Sequence, residues 1–400
     1  MKLPDTVAIT HLFSLNKAKA ALRNMKPQCH ICKSELTQLQ QLLVEWQVTS
    51  DCRPWAGKPI ISSCEKCRSI QKPVTTRWNQ QASIIYNTYQ IYAQGDGAEQ
   101  VSFDTTSGIG KARSQRIMEW LKNSGELDDV GKLLDVGCGN GSFLRTFGFY
   151  YPEWKMYGAE LDKRNKSQVE QIKGVVLFHT EAINKLKMNF DLIVLIHVLE
   201  HIPNPLNFLH ALREKLENNG RVLIQVPNIE RSPFDLLIAD HCTHFSSNTI
   251  IELLYSAGFE TIKIETGIVE KEITLLAKVG SAKYREQPCE GINHAEDHIS
   301  LLNSLVNQIV NLEEPIGIFG SSIAATWISS IARKKVAFFV DEDRSRIGKT
   351  HVGIPIKGID QIPNTINIFI PMYPDSAKNV VSRLKPQHSG FIIPSYSKQI

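Results

Sequence analysis

Residues 133–144 form an apolar run, Leu133-Leu134-Asp135-Val136, that breaks into Gly137-Cys138-Gly139-Asn140-Gly141 and resumes as Ser142-Phe143-Leu144. Three residues without Cβ let backbone approach a bound ligand closely, and a helix starting at the last of them offers free N–H groups. A second short strand, Lys155 to Ala159, ends in Glu160. That is about 20 residues past the glycines, where nucleotide-binding folds place a carboxylate for ribose hydroxyls. Together the two features predict an adenosine-type ligand. The dinucleotide fingerprint carries a glycine or alanine three residues after its second glycine, whereas Ser142 stands there in this chain.

A different chemistry is written in the cysteines. Four of the eight form Cys29-x-x-Cys32 and Cys64-x-x-Cys67, separated by 31 residues. A two-residue gap lets both sulfurs of a pair face one tetrahedral ion, and two such knuckles complete a closed site. The expected ion is structural zinc, because four thiolates leave no open position for catalysis. Disulfides are the competing expectation, and a reducing compartment disfavours them. The insert with Trp46, Pro54 and Trp55 must then pack as a small lobe. His30 is expected at the surface, and Cys52, Cys138, Cys242 and Cys289 as free thiols.

The elements that must hold these groups follow from apolar periodicity. Ile117, Met118, Trp120 and Leu121 predict a helix from Ala112 to about Asn123. Strands are expected near 132–136, 155–160, 174–179, 190–196 and 220–226, with helical patterns between them, which means a parallel sheet. Thr261–Glu265 and Ile273–Val279 suit an antiparallel edge pair. Residues 294–312 read as a helix before Ile316-Gly317-Ile318-Phe319-Gly320-Ser321-Ser322, a second strand-turn-helix, followed by a strand Val336–Val340 ending in Asp341. This order resembles half of a nucleotide-binding fold. Tyr86, Tyr89 and Tyr92, in the 73–112 connector before the Gly95-Asp96-Gly97 turn, would share a helix face, either as packing or as a lid over substrate. The expected domains are 1–75, a zinc-binding lobe; 76–285, the glycine-loop core; and 286–400, a C-terminal Rossmann-like α/β domain.

Composition bounds the partners. The formal net charge of the 400 residues is only +4, which points to a small-molecule substrate and away from nucleic acid. The excess of eleven Lys/Arg over five Asp/Glu in residues 1–75 is partly offset if the cysteines are thiolates. No apolar run approaches a membrane span, and Asp5, His11 and Asn16 interrupt the start of the chain, so a cytoplasmic protein without a membrane partner is expected. Oligomeric state is not legible.

The spacing of Asp135, Gly137, Gly139 and Gly141 resembles the first motif of class I S-adenosylmethionine (SAM) methyltransferases. Asn189 to Ile202, with Val198-Leu199-Glu200-His201, is similar to their fourth-strand motif. In the order zinc lobe, SAM core and C-terminal α/β unit, the whole chain resembles the sugar C-methyltransferases that act on nucleotide-linked deoxysugars. The resemblance implies SAM as methyl donor, a keto-sugar acceptor and a base that forms an enolate. It also implies that Gly137, Gly139 and Gly141 shape the loop around the SAM amino-acid portion, that Asp135 orients that loop or reaches the amine through water, and that Glu160 accepts the ribose hydroxyls. Glu181 would lie near adenine, and His197, or less readily His201, near ligand. The chain departs from the family where chemistry is expected. The family carries a Tyr and His-Glu-His before an aromatic residue and Phe-Ser, while this sequence reads Ile238-Ala239-Asp240-His241-Cys242-Thr243-His244-Phe245-Ser246. His241 is retained as the candidate base with Asp240 beside it and His244 as a second candidate, but the Tyr and first His are absent. Enolate chemistry needs an oxyanion donor that the Tyr would supply, and O-methylation needs only an aligned base, so carbon and oxygen both stay open as the methylated atom. An NAD-dependent oxidoreductase and a zinc-bearing adaptor without catalysis are the alternative classes.

Overall fold

The computed structural model describes residues 27–395 apart from 40, 41, 44, 91–96, 100 and 281–293, which leaves Tyr92, Gly95, Asp96 and Cys289 outside the described residues. Seven strands form the central sheet: β1 Lys132–Val136, β2 Lys155–Ala159, β3 Val175–His179, β4 Phe190–Ile196, β5 Leu216–Pro227, β6 Phe259–Glu265 and β7 Glu272–Val279. Their spatial order is β3-β2-β1-β4-β5-β7-β6. The first five run parallel, and β7 lies antiparallel between β5 and β6. A parallel sheet is covered on both faces, which is why β4 is continuously apolar: Leu192, Ile193, Val194 and Leu195 are fully buried. The antiparallel hairpin closes the edge where a dinucleotide fold adds a sixth parallel strand, so the topology speaks against the NAD alternative.

The C-terminal unit is a second α/β layer. Its strands β8 Ile316–Phe319, β9 Val336–Val340, β10 Thr350–His351, β11 Ile354–Lys357, β12 Ile368–Phe369 and β13 Phe391–Ile392 are ordered β10-β11-β9-β8-β12-β13. Gly320 turns with φ of +81°, and the next residue, Ser321, donates through N–H and Oγ to Asp341 Oδ2 at 3.0 and 2.6 Å. The acid that would meet a ribose in a working nucleotide fold is therefore tied to its own turn.

The N-terminal lobe does not close on itself. Leu36–Gln38, Ser62–Cys64 and Ile70–Gln71 are joined by a fourth strand, Thr243–His244, from the segment that follows β5. Apolar packing fuses the three units further. Leu42, Val48, Ile61 and Ile70 share one buried cluster with Ile299, Leu302 and Trp327. Cys29, Ile31 and Leu36 share another with Phe245 and Phe259. The connector forms a helix, Thr76–Asn87, capped by the Thr75 side chain on Trp78 N–H and burying Trp78, Ala82 and Ile85. Among the described residues no helix is long and apolar enough to cross a membrane.

Candidate functional site

The glycine loop leaves β1 in left-handed backbone, with φ of +74° at Gly137, +52° at Gly139 and +78° at Gly141. A Cβ on Gly137 would come within 2.6 Å of Val198 Cγ2, so the turn admits no side chain there. Gly137 N–H donates to Ala159 O at 2.8 Å, which fixes the loop against β2. At the end of β2, Glu160 accepts Gly139 N–H at 3.3 Å and Leu161 N–H at 2.9 Å. Burial raises the Glu160 pKa, with these two backbone bonds opposing. Asp135 is buried, and its Oδ2 has no hydrogen-bond partner. Burial, and then the charge of Glu160, hold its carboxyl well above the usual carboxylate range. A buried carboxyl with one unpartnered oxygen beside a glycine cradle suits a cationic ligand group whose charge would favour its ionised form, and the ammonium of SAM is such a group. Glu181 lies exposed just beyond β3.

All the parallel strands present their C-terminal ends on one edge, where ligands of open α/β sheets bind. His197, at the end of β4, has φ of +54°, a conformation that non-glycine residues seldom adopt without a local constraint. Its Nδ1 lies 3.1 Å from Glu200 Oε1 and its Nε2 3.0 Å from Glu272 Oε1, while Arg113 holds the same Glu272 oxygen at 3.0 Å. Burial opposes the imidazolium, but the two carboxylates outweigh it and push His197 up to about 9. It is thus a charged clamp between β4 and β7.

The segment after β5 builds the second half of the site. A 3-10 turn, Pro233–Leu237, buries Asp235, whose Oδ1 lies 2.7 Å from His241 Nδ1 and whose Oδ2 lies 2.5 Å from His244 Nδ1. One carboxylate therefore orients both histidines. With Nδ1–H donating to Asp235, His241 keeps its lone pair on Nε2. Burial would lower the His241 pKa, but Asp235, followed by Glu200 and Asp240, raises it above the ordinary value. For His244, burial outweighs Asp235 and the pKa falls. From sequence, Asp240 stands beside His241 as an acid that tunes or orients it. Instead, the Asp240 carboxylate accepts Ser50 N–H at 2.9 Å and Ser50 Oγ–H at 2.6 Å, and it acts on His241 through charge alone. His201 stands edge-on to His241 with ring centroids 4.6 Å apart, and its Nδ1 lies 3.0 Å from Asp240 O. Burial, and then the charge of His241, lower the His201 pKa, so a second neutral imidazole faces this site. The Tyr86 ring packs 5.8 Å from His201 and 6.3 Å from Tyr89, which places part of the tyrosine stripe against the histidines. Asp235, Ser50 and a buried Lys72 bonded to Ile238 O were missed from sequence, since none belongs to a local motif.

The paired cysteines converge as expected. Cys29, Cys32, Cys64 and Cys67 bring their sulfurs within 4.8 Å of one another, with Cys29 to Cys67 and Cys32 to Cys64 both at 3.4 Å. Tetrahedral Zn–S bonds of about 2.3 Å need sulfurs roughly 3.8 Å apart, so the set fits a single ion. Backbone N–H groups of Ile31 and Cys32 point at Cys29 Sγ, both at 3.4 Å. His30 corrects the surface expectation. It is 6% exposed, and its Nδ1 meets Thr243 Oγ1 at 2.9 Å. Glu200, His201 and His241 also bring one donor atom each within 4.8 Å of one another. A metal there would take the imidazole lone pair that a base requires, so the two uses of His241 exclude each other.

Residues 110–264 match the family described as a methyltransferase domain. With the sheet order and glycine loop, this supports a SAM-dependent methyltransferase core over these residues. Among curated proteins, the ubiquinone biosynthesis O-methyltransferase of Cereibacter sphaeroides (strain ATCC 17023) is 30% identical over 115 residues, 27% of this chain and 45% of that protein. The mitochondrial ubiquinone biosynthesis O-methyltransferase of Schizosaccharomyces pombe is 28% identical over 100 residues, 23% of this chain and 36% of that protein. The chain thus spans less than half the length of these relatives. Among solved structures, an S-adenosylmethionine-dependent methyltransferase from Clostridium acetobutylicum aligns over 51% of this chain and 100% of its own at 13% identity, with a TM-score of 0.36.

Proposed function

We propose that the protein transfers the SAM methyl group to a sugar-type acceptor, carried on a nucleotide, with His241 accepting the proton that leaves the acceptor. The supporting observation is the Asp235-oriented His241, placed after β5 on the strand-end edge that also carries Asp135 and Glu160. SAM supplies an electrophilic methyl on sulfur. Glu160 would hold its ribose and Asp135 its ammonium, while the glycines shape the cradle and Glu181 and His197 border it. Nε2 of His241 would take the proton, the imidazolium being stabilised by Asp235, with Asp240 contributing charge and His244 completing the shared carboxylate. Cys29, Cys32, Cys64 and Cys67 would hold one structural zinc, and thiolates in that role suit a reducing, cytoplasmic setting.

The methylated atom is decided by solvent exchange. The curated relatives are named as O-methyltransferases, which favours oxygen, whereas the domain order resembles C-methylating enzymes. With S-adenosylhomocysteine in place of SAM, a carbon acceptor should exchange its acidic C–H for solvent deuterium in a His241-dependent manner. A methyl ether product without exchange would assign oxygen instead.

A further inference from the structure

The lobe that carries the cysteines is bonded to the segment that carries the histidines at several points. Ala239 N–H donates to Val48 O at 2.8 Å, and Lys72 N–H to Cys242 O at 2.9 Å. Ser50 holds the Asp240 carboxylate, and Thr243 pairs with Gln71. One of these partners, Gln71, reaches the sulfur cluster directly, and a further contact starts from His30 within the first knuckle. Gln71 Nε2 donates to Cys29 Sγ at 3.2 Å and to Ser69 Oγ at 2.7 Å, and its Oε1 accepts His30 N–H at 2.8 Å. His30, inside the first knuckle, reaches Thr243 Oγ1 with its ring. The next residue, His244, shares Asp235 with His241. A continuous line of contacts thus runs Cys29, Gln71 and His30, Thr243, His244, Asp235, His241. Every member but Gln71, His30 and Thr243 already has a role as ligand, base or orienting acid. The glycine loop and Glu160, by contrast, are bonded within the core, to Ala159, to each other and to Leu161.

We infer that Gln71, His30 and Thr243 are positioning residues through which the metal held by Cys29, Cys32, Cys64 and Cys67 sets the geometry of the His241–Asp235–His244 group, so that methyl transfer depends on metal loading while SAM binding does not. The inference rests on the reading of His241 as the base and of the cysteines as a zinc site. Its physical basis is tolerance: a displacement of about 1 Å in a reacting group can cost about 10²-fold in rate. The two-residue strand is pinned between a knuckle and a carboxylate, while its flanks are tied to the core through Cys242 N–H on Glu200 O and Ile229 N–H on Phe245 O, so a shift of the knuckle is felt between those two anchors. The two bonds of His30 act from opposite ends of one residue, since its N–H is held by Gln71 and its ring holds Thr243. The strand and the knuckle therefore shift together.

The experiment uses the full chain and four readouts: zinc content, SAM affinity by calorimetry, steady-state kcat and KM, and ring nitrogen NMR shifts of His241 and His244, which report tautomer and hydrogen bonding without any acceptor. Cys64→Ser should lower zinc content, change both imidazole signals and leave SAM affinity within a few-fold. Thr243→Val removes one hydroxyl, keeps the backbone pairing and avoids disturbing the metal. It should retain full zinc and SAM affinity, lower kcat by about 10-fold with little change in KM, and shift the His244 signal. His30→Phe combined with Thr243→Val should cost no more than either alone, because both break the same bond. Unchanged imidazole signals in Cys64→Ser and Thr243→Val would overturn the inference, as would loss of SAM affinity in parallel with turnover. Responsive imidazoles in a protein that methylates no sugar would uphold this coupling and sink the acceptor assignment.

Discussion

Gly139→Val should abolish SAM binding while leaving the cysteine-bearing lobe folded and its metal content unchanged. Gly139 adopts φ of +52°, and its N–H reaches Glu160 Oε2. A β-branched residue is a strained occupant of left-handed backbone, at a cost on the order of 1–3 kcal/mol. Relaxing that strain would rotate the N–H away from the Glu160 carboxylate, and the added methyl groups would stand where backbone must approach the ligand. Calorimetry with SAM and S-adenosylhomocysteine reads the loss, and zinc content serves as the control for folding. Unchanged SAM affinity would remove the glycine loop from the cofactor site.

His241→Ala should reduce turnover by roughly 10²- to 10⁴-fold, the usual contribution of a general base, with SAM affinity nearly intact. Asp235→Asn should lower kcat less, and it should also move the pH profile. A base must be neutral to act, so kcat rises as pH climbs through the His241 pKa. That pKa is raised by Asp235, with smaller help from Glu200 and Asp240. Removing the Asp235 charge should therefore shift the rising limb to lower pH. Asp240→Asn should shift it in the same direction by less, because Asp240 is spent on Ser50 and touches His241 only through charge. Full activity in His241→Ala would pass the role to His201 or His244, to be tested by the same substitution.

What was legible in the chain was local. The glycine loop, the strand before it and Glu160 sit within one βαβ unit, so their spacing alone carried the geometry. Likewise, two Cys-x-x-Cys pairs have few ways to use four thiols. The continuous apolar run of β4 announced a buried parallel strand, and the Thr261–Glu265 and Ile273–Val279 pair announced the closing hairpin, whose strands run Phe259–Glu265 and Glu272–Val279. Long-range relations left no such trace. Asp235 became the partner of His241 and His244 only because a 3-10 turn folds Pro233–Leu237 back on the segment. Thr243–His244 is too short to show periodicity, and its role as the fourth strand of the cysteine lobe depends on Ile70–Gln71, far away in sequence. His30 looked solvent-exposed because the neighbouring knuckle was the only context visible, yet Thr243 covers it.

The central claim is that this SAM-binding core methylates a sugar. Protein incubated with SAM carrying an isotopically labelled methyl and a panel of nucleotide-linked sugars, nucleotide-linked keto-sugars among them, free glycans and phenolic compounds should place the label on the sugar ring of a nucleotide-linked acceptor, as read by mass spectrometry of the fragmented product. Label recovered only on a phenol, or on no acceptor despite intact SAM binding, would contradict it.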